Sequence, residues 1–530
     1  MSPESTEAVE RTPRIAFPAL AVLLAVALPP SPVPGGGLLI VPACALWFAI
    51  ATNGRRPCLQ TYLCGVVAMS WMSWSLRHLT WPGYIAIGVL GGLYFALATA
   101  VCRFAAKRGL GALGFAIGVA GTQWLRAHLP EIWYPHGQTI HALYETPVLL
   151  GSLRYIGEAG GNFALALFAA SLVVTWRSWR RAEPGRSRAL ALLGLATALF
   201  VLPGLLPSPI GRAATQPVDV AAIEPGLPAG FMASNAPTTQ VLLDRLIPLS
   251  LEVAGRDVAD PPDLLVWPES SFPRPIFSGT RNVFVDGGLV GPGQRPVQAF
   301  ADSVRLLAGG ELRTDEGRRR GVTVLVGPGG EYHGHQQKIH PVPGGERIPF
   351  VALLPEEWVD SIVRMFTGLV RTAPNLEAGE PREVLRTASG VPFSAFLCFD
   401  NAFDDVSRRA VRDGAAFCAV ASNEAWYRQG GELQQMIAMT VCRAIETGLP
   451  WIRSTVDGLG VLVEPNGEIR AELGQRGAQD HDPRVLRATF DAGAVHHPTL
   501  SLQAFSGPLL AVVTVLVWLL GILARRKARS

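Results

Sequence analysis

The chain has 530 residues, of which 49% are hydrophobic and only 17% charged, against about 25% charged in an ordinary soluble domain. That composition excludes a purely water-soluble protein, and the length implies two or more structural units. The formal net charge of +4 is too small to mark a nucleic-acid-binding protein, and the basic clusters lie beside apolar segments, where membrane topology accounts for them.

Taken in chain order, residues 1–14 read as a polar tail, with Glu4, Glu7 and Glu10 beside Arg11 and Arg14. Apolar runs suited to helices follow at 15–30, 37–53, 58–75, 83–102, 109–127, 160–176 and 188–206. A spanning helix needs roughly 20 mostly apolar residues, so 15–206 is expected to be a seven-helix transmembrane domain. The first run ends in Pro29-Pro30 without a small-residue cleavage site and is not expected to be a cleaved signal. Trp133, Tyr134 and Tyr144 in the longer loop 128–159 suit either an interfacial anchor belt or the rim of a lipid access site.

Residues 218–495 read as one α/β domain. Val218–Ile223, Asp263–Trp267, Val322–Val326, Ala395–Phe399 and Ala416–Ala421 are apolar throughout, the pattern of strands covered on both faces. Residues 274–320, rich in Gly, Arg and Asp with weak periodicity, suggest an insertion or mobile loop. Segment 431–447 has helical period and is followed by Gly448, a C-cap residue, and Pro465-Asn466-Gly467 forms a hairpin turn.

A last apolar run at 507–524 is expected to return the chain through the bilayer to a basic tail, 525–530. Basic residues cluster on one side of the spans: Arg55 and Arg56; Arg103, Lys107 and Arg108; Arg177, Arg180, Arg181, Arg186 and Arg188; and the tail. The opposite loops carry Arg77, Arg126 and Arg154. The positive-inside rule then makes both termini cytoplasmic and the 218–495 domain extracytoplasmic.

Seven cysteines show no CxxC or His-Cys spacing, and the closely spaced His333, His335 and His340 fit no standard metal site. No metal and no cofactor are expected, since no dinucleotide-binding Gly motif or P-loop is present either. Three polar residues stand at or just past strand ends, where α/β sheets gather functional groups. These are Glu269 in DLLVWPES, Lys338 in HQQKIHPVPGGERIP and Cys398 in FSAFLCFD. Each has a bland reading: a helix cap for Glu269, a solvated turn for Lys338, a small core residue for Cys398. Together they suit covalent catalysis, with Cys398 as nucleophile, Glu269 as general base and Lys338 stabilising thiolate and oxyanion. His340 is expected to help place Lys338.

The flanking strings VWPES, K-I-H-P-V-P-G-G-E, L-C-F-D, ASNEAWY and RAIETGLPWIRSTVDG, with the seven-plus-one layout, resemble the apolipoprotein N-acyltransferases of the nitrilase superfamily. The resemblance implies an αββα sandwich above an α-helical membrane bundle, in the inner membrane of a bacterium. It also implies a Glu269-Lys338-Cys398 triad with Glu346 as a supporting carboxylate. The implied reaction takes an acyl chain from a phospholipid, holds it as a thioester and passes it to the α-amino group of a diacylglyceryl-cysteine on an apolipoprotein. The chain departs from the family's usual residues at Phe399 and Asp400 (usually Tyr-Glu), at Glu424 (usually Asp) and at Asp457 (usually Asn). Asp400, one methylene shorter than Glu, is taken as a supporting carboxylate. Competing readings are an anchored amidase or nitrilase acting on a soluble amide, acyl transfer to another amine, and a non-catalytic binding protein with a nitrilase shell. Charged residues are scarce in the expected spans, unlike those of a transporter.

Overall fold

A computed structural model describes residues 13, 15–181, 185–228, 238–272, 275–277, 279–283, 300–370, 373–381, 383–428, 430–473 and 481–527. Every apolar run of the sequence is a helix: α1 (Ala16–Ala27), α2 (Ile40–Asn53), α3 (Pro57–Met72), α4 (Trp81–Ala106), α5 (Gly111–His128), α6 (Leu153–Arg180) and α7 (Arg186–Phe200). A single turn, α8 (Leu202–Leu205), ends this half. The ends follow local chemistry. Pro57 opens α3, where a missing N–H costs nothing, and Thr80 caps α4 by accepting a hydrogen bond from Gly83 N at 3.2 Å. The C-terminal helix, here α13 (Leu500–Lys527), packs beside α5 and α6.

Among the described residues four stretches are long and apolar enough to cross a membrane: Gly36–Asn53, Trp81–Ala106, Leu153–Arg180 and Leu500–Arg525. Their outward faces carry bare apolar side chains, such as Ile85, Leu90 and Leu93 on α4 and Leu516, Leu520 and Leu523 on α13. Such a surface is stable against lipid and not against water. The protein is a membrane protein.

The second half is a four-layer sandwich. One sheet has the order β14-β2-β3-β5-β6-β7, with β4 beside β5; the other has the order β13-β12-β11-β10-β9-β8. The first comprises β2 (Gln216–Glu224), β3 (Leu264–Val266), β4 (Ile276–Phe277), β5 (Arg305–Arg313), β6 (Arg319–Val326), β7 (Tyr332–Gln337) and β14 (Arg484–Ala492). The second comprises β8 (Leu385–Arg386), β9 (Pro392–Leu397), β10 (Phe417–Ser422), β11 (Trp451–Thr455), β12 (Val461–Val463) and β13 (Ile469–Glu472). A short pair, β1 (Gly211–Arg212) with β15 (Val495–His496), ties together the two points where the chain leaves and rejoins the helices.

The strand period of two builds the layers. Val220 and Ala222 of β2 join Phe393, Phe417 and Ile452 in the core between the sheets. Ala221 and Ile223 face the other way, against Leu246 and Ile247 of α9 (Thr238–Ala254). On the far sheet Phe396, Val420 and Trp451 pack on Ile437, Val441 and Ile445 of α12 (Glu432–Thr447), in a core that runs on into the helical bundle. Two shorter helices, α10 (Glu356–Val370) and α11 (Asp404–Arg412), complete the domain.

Two expectations are corrected. Residues 305–320 are not an insertion: β5 lies inside the first sheet and pairs with β3 and β6. Its Gly309-Gly310 broke the apolar pattern, for a steric reason given below. Residues 284–299 of the expected loop lie outside the described residues. Nor do Trp133, Tyr134 and Tyr144 form an exposed belt. Tyr144 is buried and Trp133 and Tyr134 are half-buried; Tyr134 Oη lies 2.6 Å from Ser73 Oγ, and Trp133 Nε1 donates to Pro341 O at 3.1 Å. Trp133 and Tyr134 sit in the junction between the two halves.

That junction is polar and buried. Gly157 takes a positive φ of 66° and breaks α6, which frees Glu158 N to donate to Glu446 Oε1 of α12 at 2.5 Å. Arg443 of α12 is 1% exposed; it pairs with Glu158 and, at 2.9 Å, with Glu446, while His141 Nε2 lies 2.6 Å from Glu158. Gln435 Nε2 donates to Met72 O at 2.8 Å, and Gln435 Oε1 lies 2.8 Å from His136 Nδ1. Removing one partner of a buried ion pair leaves an uncompensated charge. Arg443→Met is therefore expected to lose about 3–5 kcal/mol of stability, read as a lower thermal unfolding midpoint of the detergent-solubilised protein.

Candidate active site

Strands β2, β3 and β5 are parallel to one another, as are β9, β10 and β11. Their carboxyl ends present Glu269 and Cys398, and the end of β7 presents Lys338. Cys398 is the first residue past β9 and opens a 3-10 turn, Cys398–Ala402. Its φ of +49° is uncommon for a non-glycine residue, a strained conformation of the sort that clusters at functional sites. Glu269 follows β3 through Pro268; its backbone N donates to Ser422 O at 3.3 Å, at the end of β10. Neighbouring Trp267 is anchored by donation from Nε1 to Ser250 Oγ at 2.8 Å. Lys338 is held at both backbone ends, N donating to Gly321 O at 2.9 Å and O accepting from Gly379 N at 2.7 Å.

These elements bring the sequence-derived residues together. Lys338 Nζ lies 3.4 Å from Glu269 Oε1 and 2.7 Å from Glu346 Oε1, and Cys398 is near enough to all three for their charges to act on its thiol. The Pro-Val-Pro-Gly-Gly turn curls so that Glu346 Oε2 accepts from Val342 N at 2.8 Å, fixing the carboxylate over the lysine. Asp400 reaches despite its shorter side chain. Its two oxygens accept from Ile339 N and His340 N, both at 2.8 Å, and so clamp the segment after Lys338 to the Cys398 turn. His340 stacks on Phe403 with centroids 3.8 Å apart, which makes it a packing partner of that turn.

Burial alone would strip the charge from Lys338, but Glu269 and Glu346 outweigh it and hold the ammonium well above the ordinary lysine value. Burial raises Glu269 above the usual carboxylate range, against the pull of Lys338. The Cys398 thiol is pushed up to about 12, mainly by burial and by the charge of Glu269, with Lys338 and Ser422 pulling the other way. At rest the site is thus a neutral thiol beside a carboxylate and a fixed cation. It suits proton removal concerted with nucleophilic attack rather than a standing thiolate.

Some contributors were not legible in the sequence. A Cβ on Gly309 of β5 would lie 2.5 Å from Glu269 Cα and 3.0 Å from Pro268 O, so glycine is what lets the turn bearing Glu269 sit on the sheet. Ser422, within the ASNEAWY string, supports Glu269 through its carbonyl. Phe399 stacks on His136 at 5.8 Å, joining the Cys398 turn to the helical half. Among the described residues one group, His128, Asp404 and Asp405, has ligand atoms close enough for a metal. Asp404 is already ion-paired there with Arg408 at 2.5 Å and His128 at 2.9 Å.

A family model for the apolipoprotein N-acyltransferase N-terminal domain matches residues 20–171, and one for carbon-nitrogen hydrolases matches residues 307–495. The chain belongs to the apolipoprotein N-acyltransferase family. The apolipoprotein N-acyltransferase of Brucella melitensis is 27% identical over 404 residues, 73% of this chain and 71% of that one. That of Geobacter metallireducens is 28% identical over 405 residues, 73% and 72% of the two chains. Among solved structures, Saccharomyces cerevisiae Nit3 of the nitrilase superfamily is 14% identical with a TM-score of 0.37, covering 55% of this chain and 93% of its own. A Nesterenkonia amidase of the same superfamily is 18% identical with a TM-score of 0.36, covering 56% and 97%.

Gly309→Ala is expected to displace Glu269 while leaving both sheets folded. An active-site displacement near 1 Å costs about 100-fold in rate, so acyl transfer should fall by about that factor with the thermal midpoint nearly unchanged.

Proposed function

We propose that this acyltransferase N-acylates apolipoproteins in two displacements on Cys398, with a membrane phospholipid as acyl donor. In the first, Sγ attacks the phospholipid ester carbonyl as Glu269 takes the thiol proton. The tetrahedral intermediate collapses to a Cys398 thioester, and Glu269 returns the proton to the departing lysophospholipid oxygen. In the second, the α-amine of a diacylglyceryl-cysteine attacks the thioester; Glu269 removes the amine proton and gives it to the leaving sulfur. Lys338 stabilises the oxyanion in both halves, and Glu346 keeps Lys338 charged and aimed.

The observation that carries this reading is the contact between the nucleophile turn and the lipid-facing half of the molecule. Phe399 stacks on His136, and Trp133 lies edge-on to Phe403 at 6.5 Å. A thiol serving a small soluble amide has no use for that neighbour, whereas one serving two lipid substrates must stand beside the bilayer. We further propose that 15–206 and 507–524 supply seven spans and one, with 218–495 as the catalytic domain in the periplasm of the bacterial inner membrane and both termini cytoplasmic. Supporting this, the catalytic domain touches Met72, His136 and Glu158 at one end of the bundle. The clusters at 55–56, 103–108 and 177–181 lie at the opposite ends of α3, α4 and α6, the cytoplasmic side by the positive-inside rule.

The test is reconstitution with phosphatidylethanolamine carrying a labelled acyl chain and a synthetic diacylglyceryl-cysteine peptide. Labelled N-acyl peptide and lysophospholipid are expected in equal amounts, with none from Cys398→Ala. Glu269→Gln is expected to be slower by at least about 100-fold. Free fatty acid as the sole product, with the acceptor peptide present, would contradict the proposal.

A further inference from the structure

Behind the triad lies a buried polar group that the two displacements leave unused. Leu397 of β9 pairs in parallel with Ala421 of β10, so the next residues, Cys398 and Ser422, emerge side by side at the strand ends. Ser422 is fully buried, and its carbonyl is fixed by Glu269 N at 3.3 Å and Val456 N at 3.2 Å. The hydroxyl is the part of this residue free to turn. It donates to Glu424 Oε1 at 3.2 Å, and the strand register sets it beside Cys398, whose thiol it pulls downward against burial. A hydroxyl has one proton to donate, so it cannot serve both acceptors at once. Glu424 does not depend on it: the same carboxylate oxygen is paired with Arg453, and both residues are at most 1% exposed.

We propose that Ser422 Oγ–H is a two-position donor, resting on Glu424 while Cys398 is a thiol and turning onto Sγ whenever the sulfur becomes negative. This rests on the reading of Cys398 as the nucleophile. During attack the Sγ proton passes to Glu269, and Ser422 keeps its own proton, redirecting it from Glu424 to the thiolate. Arg453 holds the negative charge that Glu424 then presents alone. The same turn serves the second displacement, in which the thioester C–S bond breaks and sulfur leaves as an anion until Glu269 returns its proton. A hydrogen bond to a charged group is stronger than one between neutral partners, so the hydroxyl favours the thiolate over the thiol. The device suits a site whose thiol is otherwise held firmly neutral by burial. Glu424 and Arg453 are positioning residues here; they give the hydroxyl a place to wait.

The test is the pH dependence of Cys398 alkylation by iodoacetamide in the full-length detergent-solubilised protein, read by mass on the Cys398 peptide with no lipid substrate added. Ser422→Ala is expected to alkylate about tenfold more slowly at neutral pH, its profile displaced upward by about one pH unit and converging on the wild-type rate at high pH. Ser422→Thr, which restores the hydroxyl, is expected to return the profile toward wild type. A Ser422→Ala profile that coincides with wild type, or that is lower by the same factor at every pH, would overturn the inference and leave the thioester reading untouched. A wild-type Cys398 that fails to alkylate at any pH would overturn both.

Discussion

A single ammonium buried at the carboxyl ends of two sheets sets the terms for the rest of the catalytic domain. Lys338 is 1% exposed, and an isolated charge so placed would lose its proton. Glu269 and Glu346 hold it in the charged state, at 3.4 and 2.7 Å. Their arrangement dictates local chain geometry: Pro268 turns Glu269 off β3, Gly309 leaves room beneath that turn, and Val342 N fixes Glu346. Asp400 then ties the lysine segment to the Cys398 turn through two backbone N–H groups. One carboxylate is available for proton transfer and the other maintains the cation.

The same economy appears at the junction with the helices. Helix α12 has every side chain but Gln434 buried, because one face covers the second sheet and the other meets the bundle. Apolar residues alone would let the two halves slide. The Glu158–Arg443–Glu446 cluster and the Gln435 contacts fix the register instead, and with it the distance from the thiol to the lipid-facing surface. The Cys398 turn and the junction lie at opposite ends of a short path, through Phe399 and His136.

Much of the fold was legible in the sequence, for identifiable reasons. Strands buried on both faces are apolar throughout, so β2, β6, β9 and β10 stood out, and the bundle helices showed by length and hydropathy. β5 did not, because Gly309-Gly310 and terminal arginines erase its pattern; the glycines answer to Glu269 in three dimensions and carry no local signal. Trp133 and Tyr134 announced an interface by residue type, but the sequence could not distinguish lipid headgroups from a protein junction. The three strand-end residues of the site were legible by position and by their flanking strings. Ser422, Glu424 and Arg453 were not, since a polar residue that faces inward is recognised only when its partner, about thirty residues away in the case of Glu424 and Arg453, is brought beside it.

The central claim is that the neutral, buried thiol of Cys398 becomes the acyl carrier with Glu269 as its base. The most direct measurement is the mass of the Cys398 peptide after purified protein meets phosphatidylethanolamine with no acceptor present, with Glu269→Gln treated in parallel. An increment of one acyl chain on Cys398, labile to hydroxylamine and absent or much reduced in Glu269→Gln, is the expected result. An unmodified Cys398 in folded protein, or an acyl group found on another residue, would contradict it.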